Sequence, residues 1–325
     1  MPIRPKVLLT RRWPSPVEHR LAERYDVWIN QADEPLGADA LADALKTQDA
    51  VCPTVSDVLD AAVLECSRGG AAKILGNYGV GVNHIDLEAA RGLGLVVTNT
   101  PDVLTDATAE LAILLMLMAA RRAGEGEREL RGGRWIGWRP THMVGAQVTG
   151  KTLGVIGFGR IGQAAARKAH HGLGMRILYH SRRRADPQVE AETNAVFCET
   201  LDELLAEADV VSLHMPGGAE TRHLIDARRL SLMKPSAILI NTARGPVVDE
   251  AALTAALAER RIAAAGLDVY EREPAVTPGL VALENVVLLP HLGSATAETR
   301  IAMGMKVADN LDAFFDGREP PDRVI

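Results

Sequence analysis

Short apolar runs alternate along the chain with segments whose apolar residues recur at helical spacing. In the first hundred residues, this alternation predicts strands at 6–10, 26–30 and 49–54, with helices at 16–25 and 39–48. The pattern is typical of a parallel sheet covered by helices.

A second series of the same kind begins near residue 106. A helix is predicted at 106–122, and its apolar run at 111–120 is too short to span a bilayer, so we expect it to be buried. The later strands are predicted in DVVSLHMP, SAILINTARG, AAGLDVY and NVVLLPHLGS. Each ends in polar or glycine-rich residues, and ligands of open parallel sheets bind at such carboxyl ends.

Composition narrows the class of protein. The 325 residues are 47% hydrophobic and 24% charged, which allows two globular domains. A net charge of -6 argues against a general nucleic-acid binder. Three scattered cysteines predict neither a disulfide framework nor a metal site. The first ten residues lack the apolar stretch of a signal peptide, so we expect a cytoplasmic protein with no membrane partner.

The hexapeptide GFGRIG at 157–162 fits the pattern GxGxxG. It follows an apolar strand and opens a helical segment, which is the context that a dinucleotide-binding turn requires. Gly157 permits the tight turn, Gly159 lets the backbone approach a pyrophosphate, and Gly162 lets the helix pack close to the strand. The helix N-terminus would attract the phosphates. The alternative is a purely structural turn.

The end of the next predicted strand, 176–180, carries a run of positive charge. A cofactor without a 2′-phosphate usually meets an acidic residue about 20 positions beyond the glycines. Ser181 stands there instead, and Arg182, Arg183 and Arg184 follow it. Guanidinium groups donate charge-assisted hydrogen bonds to a phosphate dianion. The run therefore predicts NADPH rather than NADH, the alternative being a solvated basic loop.

Three later segments carry residues suited to carbonyl reduction. Arg244 follows the strand AILIN, and a guanidinium can hold a carboxylate with two parallel hydrogen bonds. His291 follows another strand and is a natural proton donor near neutral pH. Asp268, Glu271 and Glu273 lie in LDVYEREP, and a carboxylate beside the histidine would stabilise its imidazolium form.

The segments GFGRIG, NTARGPVVDE, GLDVYEREP and LLPHLGSAT, in this order, resemble those of the D-isomer-specific 2-hydroxyacid dehydrogenases. The resemblance covers nearly the whole chain. TPDVLTDATAEL at 100–111 and GGRWIGWRP at 132–140 narrow it to glyoxylate/hydroxypyruvate reductases.

The resemblance implies a role for each candidate residue. Arg244 would bind the carboxylate and keto oxygen of the substrate, His291 would be the general acid/base, and Glu273 would pair with His291. Asp268 would contact the nicotinamide carboxamide. The implied substrate-binding residues are Val80, Gly81, Trp138, Arg244, His291 and Ser294, with Trp138 reaching into the site of a second subunit. The alternative for Trp138 is an aromatic residue of the core or an interface.

The cofactor cleft is expected to be lined from several strand ends. The residues assigned to it are Thr108, Gly157, Gly159, Arg160, Ile161, Gly162, Ser181, Arg182, Arg183, His214, Met215, Pro216, Thr242, Ala243, Asp268 and Gly293. No metal is expected.

The predicted fold is α/β. A Rossmann-type, doubly wound parallel sheet would form a dinucleotide-binding domain at 102–289. A flavodoxin-like α/β domain at 1–101 and 290–325 would bind the substrate. It is expected to be discontinuous, because the segment from about Ala295 is helical, has no strand partner of its own and would pack back on the first domain.

The predicted function is NADPH-dependent reduction of glyoxylate to glycolate and of hydroxypyruvate to D-glycerate, with His291 as general acid. NADH remains a less favoured cofactor, and a homodimer is implied. One alternative is a related dehydrogenase acting on phosphoglycerate or a bulkier 2-oxo acid. A nucleotide-sensing binding protein on the same fold is the other alternative.

Overall fold

The structure, a computed structural model, describes residues 4–325 and divides into two compact units. The first unit runs up to Leu104 and also contains Ser294–Ile325, while the second unit is Thr105–Gly293. The sequence analysis placed the corresponding junctions after residues 101 and 289. Which chemical task each unit performs stays a prediction at this point.

The first unit is built on a five-stranded parallel sheet. Its strand order is β2-β1-β3-β4-β5, the flavodoxin-like order. The elements are β1 (Lys6–Leu9), α1 (Ser15–Ala22), β2 (Asp26–Ile29), α2 (Ala38–Thr47), β3 (Ala50–Cys52), α3 (Ala61–Cys66), β4 (Ile74–Gly76), α4 (Leu87–Gly92) and β5 (Val96–Thr98). The central strands β3 and β4 are buried throughout, as expected where helices cover both faces of a sheet.

The second unit is built on a seven-stranded parallel sheet. Its order, β12-β11-β10-β9-β6-β7-β8, reverses direction between β6 and β9 and is the doubly wound arrangement. The strands are β6 (Thr152–Ile156), β7 (Arg176–His180), β8 (Val196–Phe197), β9 (Val210–Leu213), β10 (Ile238–Asn241), β11 (Ala264–Leu267) and β12 (Val286–Leu288). A crevice for a ligand is expected at the carboxyl ends of β6 and β9.

Helices cover this second sheet. They are α5 (Thr105–Ala120), α6 (Ala123–Arg131), α7 (Arg160–Leu173), α8 (Pro187–Thr193), α9 (Leu201–Glu207), α10 (Ala227–Leu232), α11 (Glu250–Ala258) and α12 (Pro278–Val281). The apolar run at 111–120 lies in α5, where Leu115 and Met116 are fully buried, so the predicted buried helix is present. Within residues 4–325, no helix combines the length and apolarity that crossing a membrane requires.

The chain returns to the first unit through its last helix, α13 (Ala297–Phe315). Thr296 caps this helix by accepting a hydrogen bond from the Thr299 amide. The helix lies close to α1, because a Cβ on Gly304 would come within 2.6 Å of Val17. The predicted α/β class, with a doubly wound sheet and a second α/β unit, is confirmed.

Candidate active site

The glycine turn after β6 has the geometry that its sequence predicts. Gly157 has φ of +90°, and a Cβ there would lie 2.6 Å from the Met215 amide nitrogen. A Cβ on Gly162 would lie 2.3 Å from the Gly157 carbonyl oxygen. Backbone packing therefore requires glycine at both positions. A Cβ on Gly159 would meet no atom within 4 Å, so the turn faces open space at this point.

The N-terminus of α7 is available for a phosphate. Several helices of the second unit are capped by their own side chains, as Asp186 caps α8, Asp226 caps α10 and Asp249 caps α11. By contrast, α7 begins after Gly159, which offers no side-chain cap. A helix start without a side-chain cap, with its positive dipole end, is suited to an anion.

Two buried polar atoms that follow the neighbouring strands β9 and β10 lack a partner within residues 4–325. They are Nδ1 of His214, after β9, and Oγ1 of Thr242, after β10. The other ring nitrogen of His214 lies 2.8 Å from the Ser212 hydroxyl. Burial lowers the pKa of His214 to about 4, so the ring is neutral near pH 7. Unpaired buried groups at these strand ends, together with the open glycine turn, fit an NAD(P) cofactor.

The three arginines after β7 do not have the same environment. Arg184 donates two hydrogen bonds to Glu190, at 2.8 and 2.9 Å. Ser181 donates to the Arg183 carbonyl oxygen at 2.5 Å, which tightens the loop. The exposed guanidinium groups of Arg182 and Arg183 have no acidic partner in the part of the chain that the structure describes. These two arginines remain available to an anionic ligand.

His291 and Glu273 form a direct pair. Nδ1 of His291 lies 2.7 Å from Oε2 of Glu273, whose Oε1 accepts the Tyr270 amide at 3.0 Å. Burial of Glu273 favours its neutral form, but the hydrogen bond and charge of His291 outweigh this and lower the pKa of Glu273. The pair fixes which ring nitrogen is left for another partner. Because Nδ1 is bound to the carboxylate, Nε2 is the nitrogen that can serve a substrate.

Arg244 lies near this pair and forms no salt bridge within the described residues 4–325. Its Nη1 donates to the Ala243 carbonyl oxygen at 2.7 Å, and the nearby charge of Glu273 acts on it. Burial lowers the pKa of Arg244, although a guanidinium stays protonated at neutral pH. No carboxylate within residues 4–325 comes within 4 Å of it. The arrangement suits the binding of an anion.

Asp268 holds the loop that carries His291. It is 1% exposed, and its two oxygens accept the amides of Leu292 and Gly293 at 2.6 and 2.8 Å. His291 has φ of +55°, a region that non-glycine residues seldom adopt, and its amide bonds the Asp268 carbonyl oxygen at 2.9 Å. Sequence reasoning missed this role. The predicted contact of Asp268 with nicotinamide stays a prediction.

Two asparagines that sequence reasoning missed shape the candidate loops. In the first unit, the Asn77 amide donates to the carbonyl oxygens of Gly79 and Gly81 at 2.8 and 3.0 Å. Within residues 4–325, no protein acceptor meets the amides of Val80 and Gly81. In the second unit, Asn241 donates to the Arg244 carbonyl oxygen at 3.0 Å. The signal for both was an asparagine at the end of a strand, a position typical of side-chain-supported turns.

Trp138 lies in the segment 132–147, which follows α6 without regular secondary structure. It is 82% exposed, and Trp135, Ile136 and Val144 in the same segment are also exposed. Within a single chain, Trp138 is therefore not packed against the His291 pair. The interpretation as a core aromatic is excluded by this exposure, and a role at an interface stays a prediction.

The remaining predicted residues lie in loops or at helix starts. Arg160 and Ile161 open α7, Met215 and Pro216 follow His214, and Ala243 precedes Arg244. The carbonyl oxygen of Gly293 accepts a hydrogen bond from the Thr108 hydroxyl at 3.1 Å. Ser294 begins the second segment of the first unit. Their contacts with a cofactor or substrate stay predictions.

Comparison with known proteins gives a consistent result. The sequence profile of "D-isomer specific 2-hydroxyacid dehydrogenase, NAD binding domain" matches residues 113–293. The glyoxylate reductase of Thermococcus onnurineus is 47% identical over 326 residues, covering 99% of this chain and 96% of that protein.

Solved structures agree with this match. A protein of Thermus thermophilus is 43% identical with a TM-score of 0.90, over 98% of this chain and all of that one. An NADPH-dependent glyoxylate/hydroxypyruvate reductase of Sinorhizobium meliloti, solved with NADP and malonate, is 34% identical with a TM-score of 0.86. That match covers 99% of this chain and 97% of the other.

Proposed function

The chain belongs to the D-isomer specific 2-hydroxyacid dehydrogenase family, and on that premise we propose that it reduces short 2-oxo acids with NADPH. The substrates proposed are glyoxylate, giving glycolate, and hydroxypyruvate, giving D-glycerate. Relatives named glyoxylate reductases, similar over almost their full length, support this substrate class.

The observation that carries the proposal is the unpaired cation beside an acid/base pair. Arg244 has no carboxylate partner within residues 4–325, while Glu273 and His291 are hydrogen bonded at 2.7 Å. A 2-oxo acid supplies the missing partner, because its carboxylate and keto oxygen both accept hydrogen bonds from a guanidinium fork. The same guanidinium would polarise the keto group and stabilise charge that develops on its oxygen.

The proton is assigned to His291. Its Nε2–H would donate to the keto oxygen, and Glu273 at Nδ1 would stabilise the imidazolium before the transfer. After the transfer, the neutral ring keeps its proton on Nδ1, because the carboxylate accepts there. Bound NADPH would supply the hydride for the keto carbon. The chain's own residues therefore hold the anion, orient the keto group and deliver the proton.

The cofactor would be held by the second unit. Gly157, Gly159 and the N-terminus of α7 would receive the pyrophosphate, and Arg182 and Arg183 would receive the 2′-phosphate. Support for NADPH comes from the two unpaired arginines and from the absence of an acidic residue at position 181.

Two further assignments belong to the proposal. The free amides of Val80 and Gly81 would bind the substrate carboxylate, with Ser294 nearby in the chain. The exposed apolar segment around Trp138 would be covered by a second copy of the chain, since soluble monomers seldom expose contiguous apolar side chains.

Steady-state kinetics with glyoxylate and NADPH test the proposal. Arg244→Ala is expected to lower kcat/KM by about 10²–10³ through loss of an anion-binding group in a shielded site. The matched control is Arg261→Ala, which removes an exposed arginine paired with Glu259 in the same unit. Near-normal kcat/KM in Arg244→Ala would remove the basis of the assignment.

A further inference from the structure

Glu250 is a buried carboxylate that the proposed mechanism does not use. It is 4% exposed and lies at the start of α11, where the helix N-terminus favours a negative group. Its Oε1 accepts the Glu271 amide at 2.7 Å, and its Oε2 accepts the Thr277 hydroxyl. The Glu250 carboxylate thus forms hydrogen bonds with Glu271 and Thr277, which are six residues apart in the chain.

The segment between those two points, residues 271–277, carries Glu273. Glu271 is also fixed through its side chain, which lies 2.5 Å from Nε2 of His223. At the other end of the segment, the Thr277 hydroxyl is bonded to Glu250, and Thr277 is the residue directly before α12. Inside the segment the Ala275 amide donates to the Arg272 carbonyl oxygen at 2.8 Å, and the side-chain bonds to Glu271 and Thr277 fix its two ends.

We propose that Glu250 is a positioning residue for the Glu273–His291 pair. It holds both ends of segment 271–277 and thereby sets the place of the Glu273 carboxylate against Nδ1 of His291. The inference rests on the roles proposed for these two residues. The geometry of the Glu273–His291 pair would then depend on Glu250 of α11, although Glu250 does not touch the reacting groups.

The chemistry of Glu250 makes distinct predictions for two substitutions. Glu250→Ala removes both acceptors and leaves the Glu271 amide and the Thr277 hydroxyl, which are partly buried, without these partners. Glu250→Gln keeps one oxygen for the Glu271 amide, and its NH₂ group can donate to the Thr277 oxygen. Because a hydroxyl both donates and accepts, the glutamine can rebuild both bonds. We therefore expect loss of activity with alanine and rescue with glutamine.

A double-mutant cycle separates positioning from general damage. If Glu250 acts through Glu273, then Glu250→Ala should lower kcat about 10–100-fold in the unaltered enzyme but much less in a Glu273→Gln background. A residue that merely supports the fold would lower kcat by the same factor in both backgrounds. The dissociation constant for NADPH, followed by protein fluorescence, should stay close to that of the unaltered enzyme.

Asp209→Ala is the matched control. Asp209 is likewise a carboxylate of the second unit that binds a backbone amide, that of Thr152 at 2.9 Å, and a side chain, that of Lys234 at 2.9 Å. It precedes β9, at the end of the sheet opposite the glycine turn. This variant should lose thermal stability while its kcat per folded molecule is maintained.

Thr277→Val provides an independent arm in case Glu250→Ala does not fold, because it removes only one of the two bonds. It should lower kcat in the unaltered enzyme and have little effect in the Glu273→Gln background. Additive losses, or full kcat in whichever of Glu250→Ala and Thr277→Val folds, would overturn the inference. Full activity in Glu273→Gln itself would instead overturn the proposed role of Glu273, which keeps the two failures distinct.

Discussion

Removing the arginines after β7 should change the cofactor preference without changing the chemistry. Arg182 and Arg183 are exposed and unpaired within residues 4–325, whereas Arg184 is held by Glu190 through two hydrogen bonds. The perturbation is therefore Arg182→Ala, Arg183→Ala and the double variant. Only NADPH carries the 2′-phosphate that these side chains would meet.

The size of the effect follows from the type of bond and its exposure. A hydrogen bond between a guanidinium and a phosphate is charge-assisted, but at an exposed site it competes with water and salt. We expect each alanine to weaken NADPH binding about tenfold, and the double variant to weaken it by up to about a hundredfold. The affinity for NADH should change less than about twofold, because its ribose hydroxyls do not need a cation.

The assay is a titration of protein fluorescence with each cofactor, followed by kcat/KM at saturating 2-oxo acid. Arg184→Ala is the control within the same run, and any effect of losing its bonds to Glu190 should fall equally on NADPH and NADH. Raising the ionic strength should reduce the preference for NADPH in the unaltered protein. Equal losses of both cofactors in Arg182→Ala and Arg183→Ala would refute the phosphate assignment and leave these residues as part of a solvated loop.

Three further results are expected. Gly162→Ala should weaken the binding of both NADPH and NADH in the same titration, because its Cβ would lie 2.3 Å from the Gly157 carbonyl oxygen. Unchanged affinity for both cofactors would show that the backbone of the turn can shift to accept the Cβ. The hydrogen bonds from Arg184 and then from Tyr179 lower the pKa of Glu190 to about 2, so its stabilising effect is present above its ordinary pKa and is lost as the pH falls towards 2. The difference in Tm between the unaltered protein and Glu190→Gln should therefore shrink on acidification, and a constant difference would contradict this. Trp138→Asp should shift the mass measured by light scattering from dimer to monomer, whereas an unchanged mass would refute the second-copy assignment.

Most of the strands and the glycine turn were predictable because each depends on local sequence, whereas the two-residue strand β8 was not predicted. The apolar strand expected directly before GFGRIG is present as β6, and the helix expected at 106–122 is present as α5 (Thr105–Ala120). Apolar periodicity and turn glycines carry this information within a few residues. The direct bond between Glu273 and His291 was implied by resemblance, and its 2.7 Å geometry came from the structure.

The supporting contacts were not predictable, because they join residues far apart in the chain. Nothing local indicates that Glu250 bonds Thr277, or that Asp268 holds the amides of Leu292 and Gly293. Nor does the sequence separate three consecutive arginines, since the difference arises when Glu190 on α8 folds back to Arg184. Such contacts depend on tertiary packing, which the period of the apolar residues does not encode.

The central claim is that this chain reduces short 2-oxo acids with NADPH. The most direct measurement is the initial rate with glyoxylate and with hydroxypyruvate, each in the presence of NADPH or NADH. We expect turnover of at least one of the two acids, with a higher kcat/KM for NADPH than for NADH. Turnover with NADH preferred would contradict the cofactor assignment, and no turnover of either acid with either cofactor would contradict the proposed function.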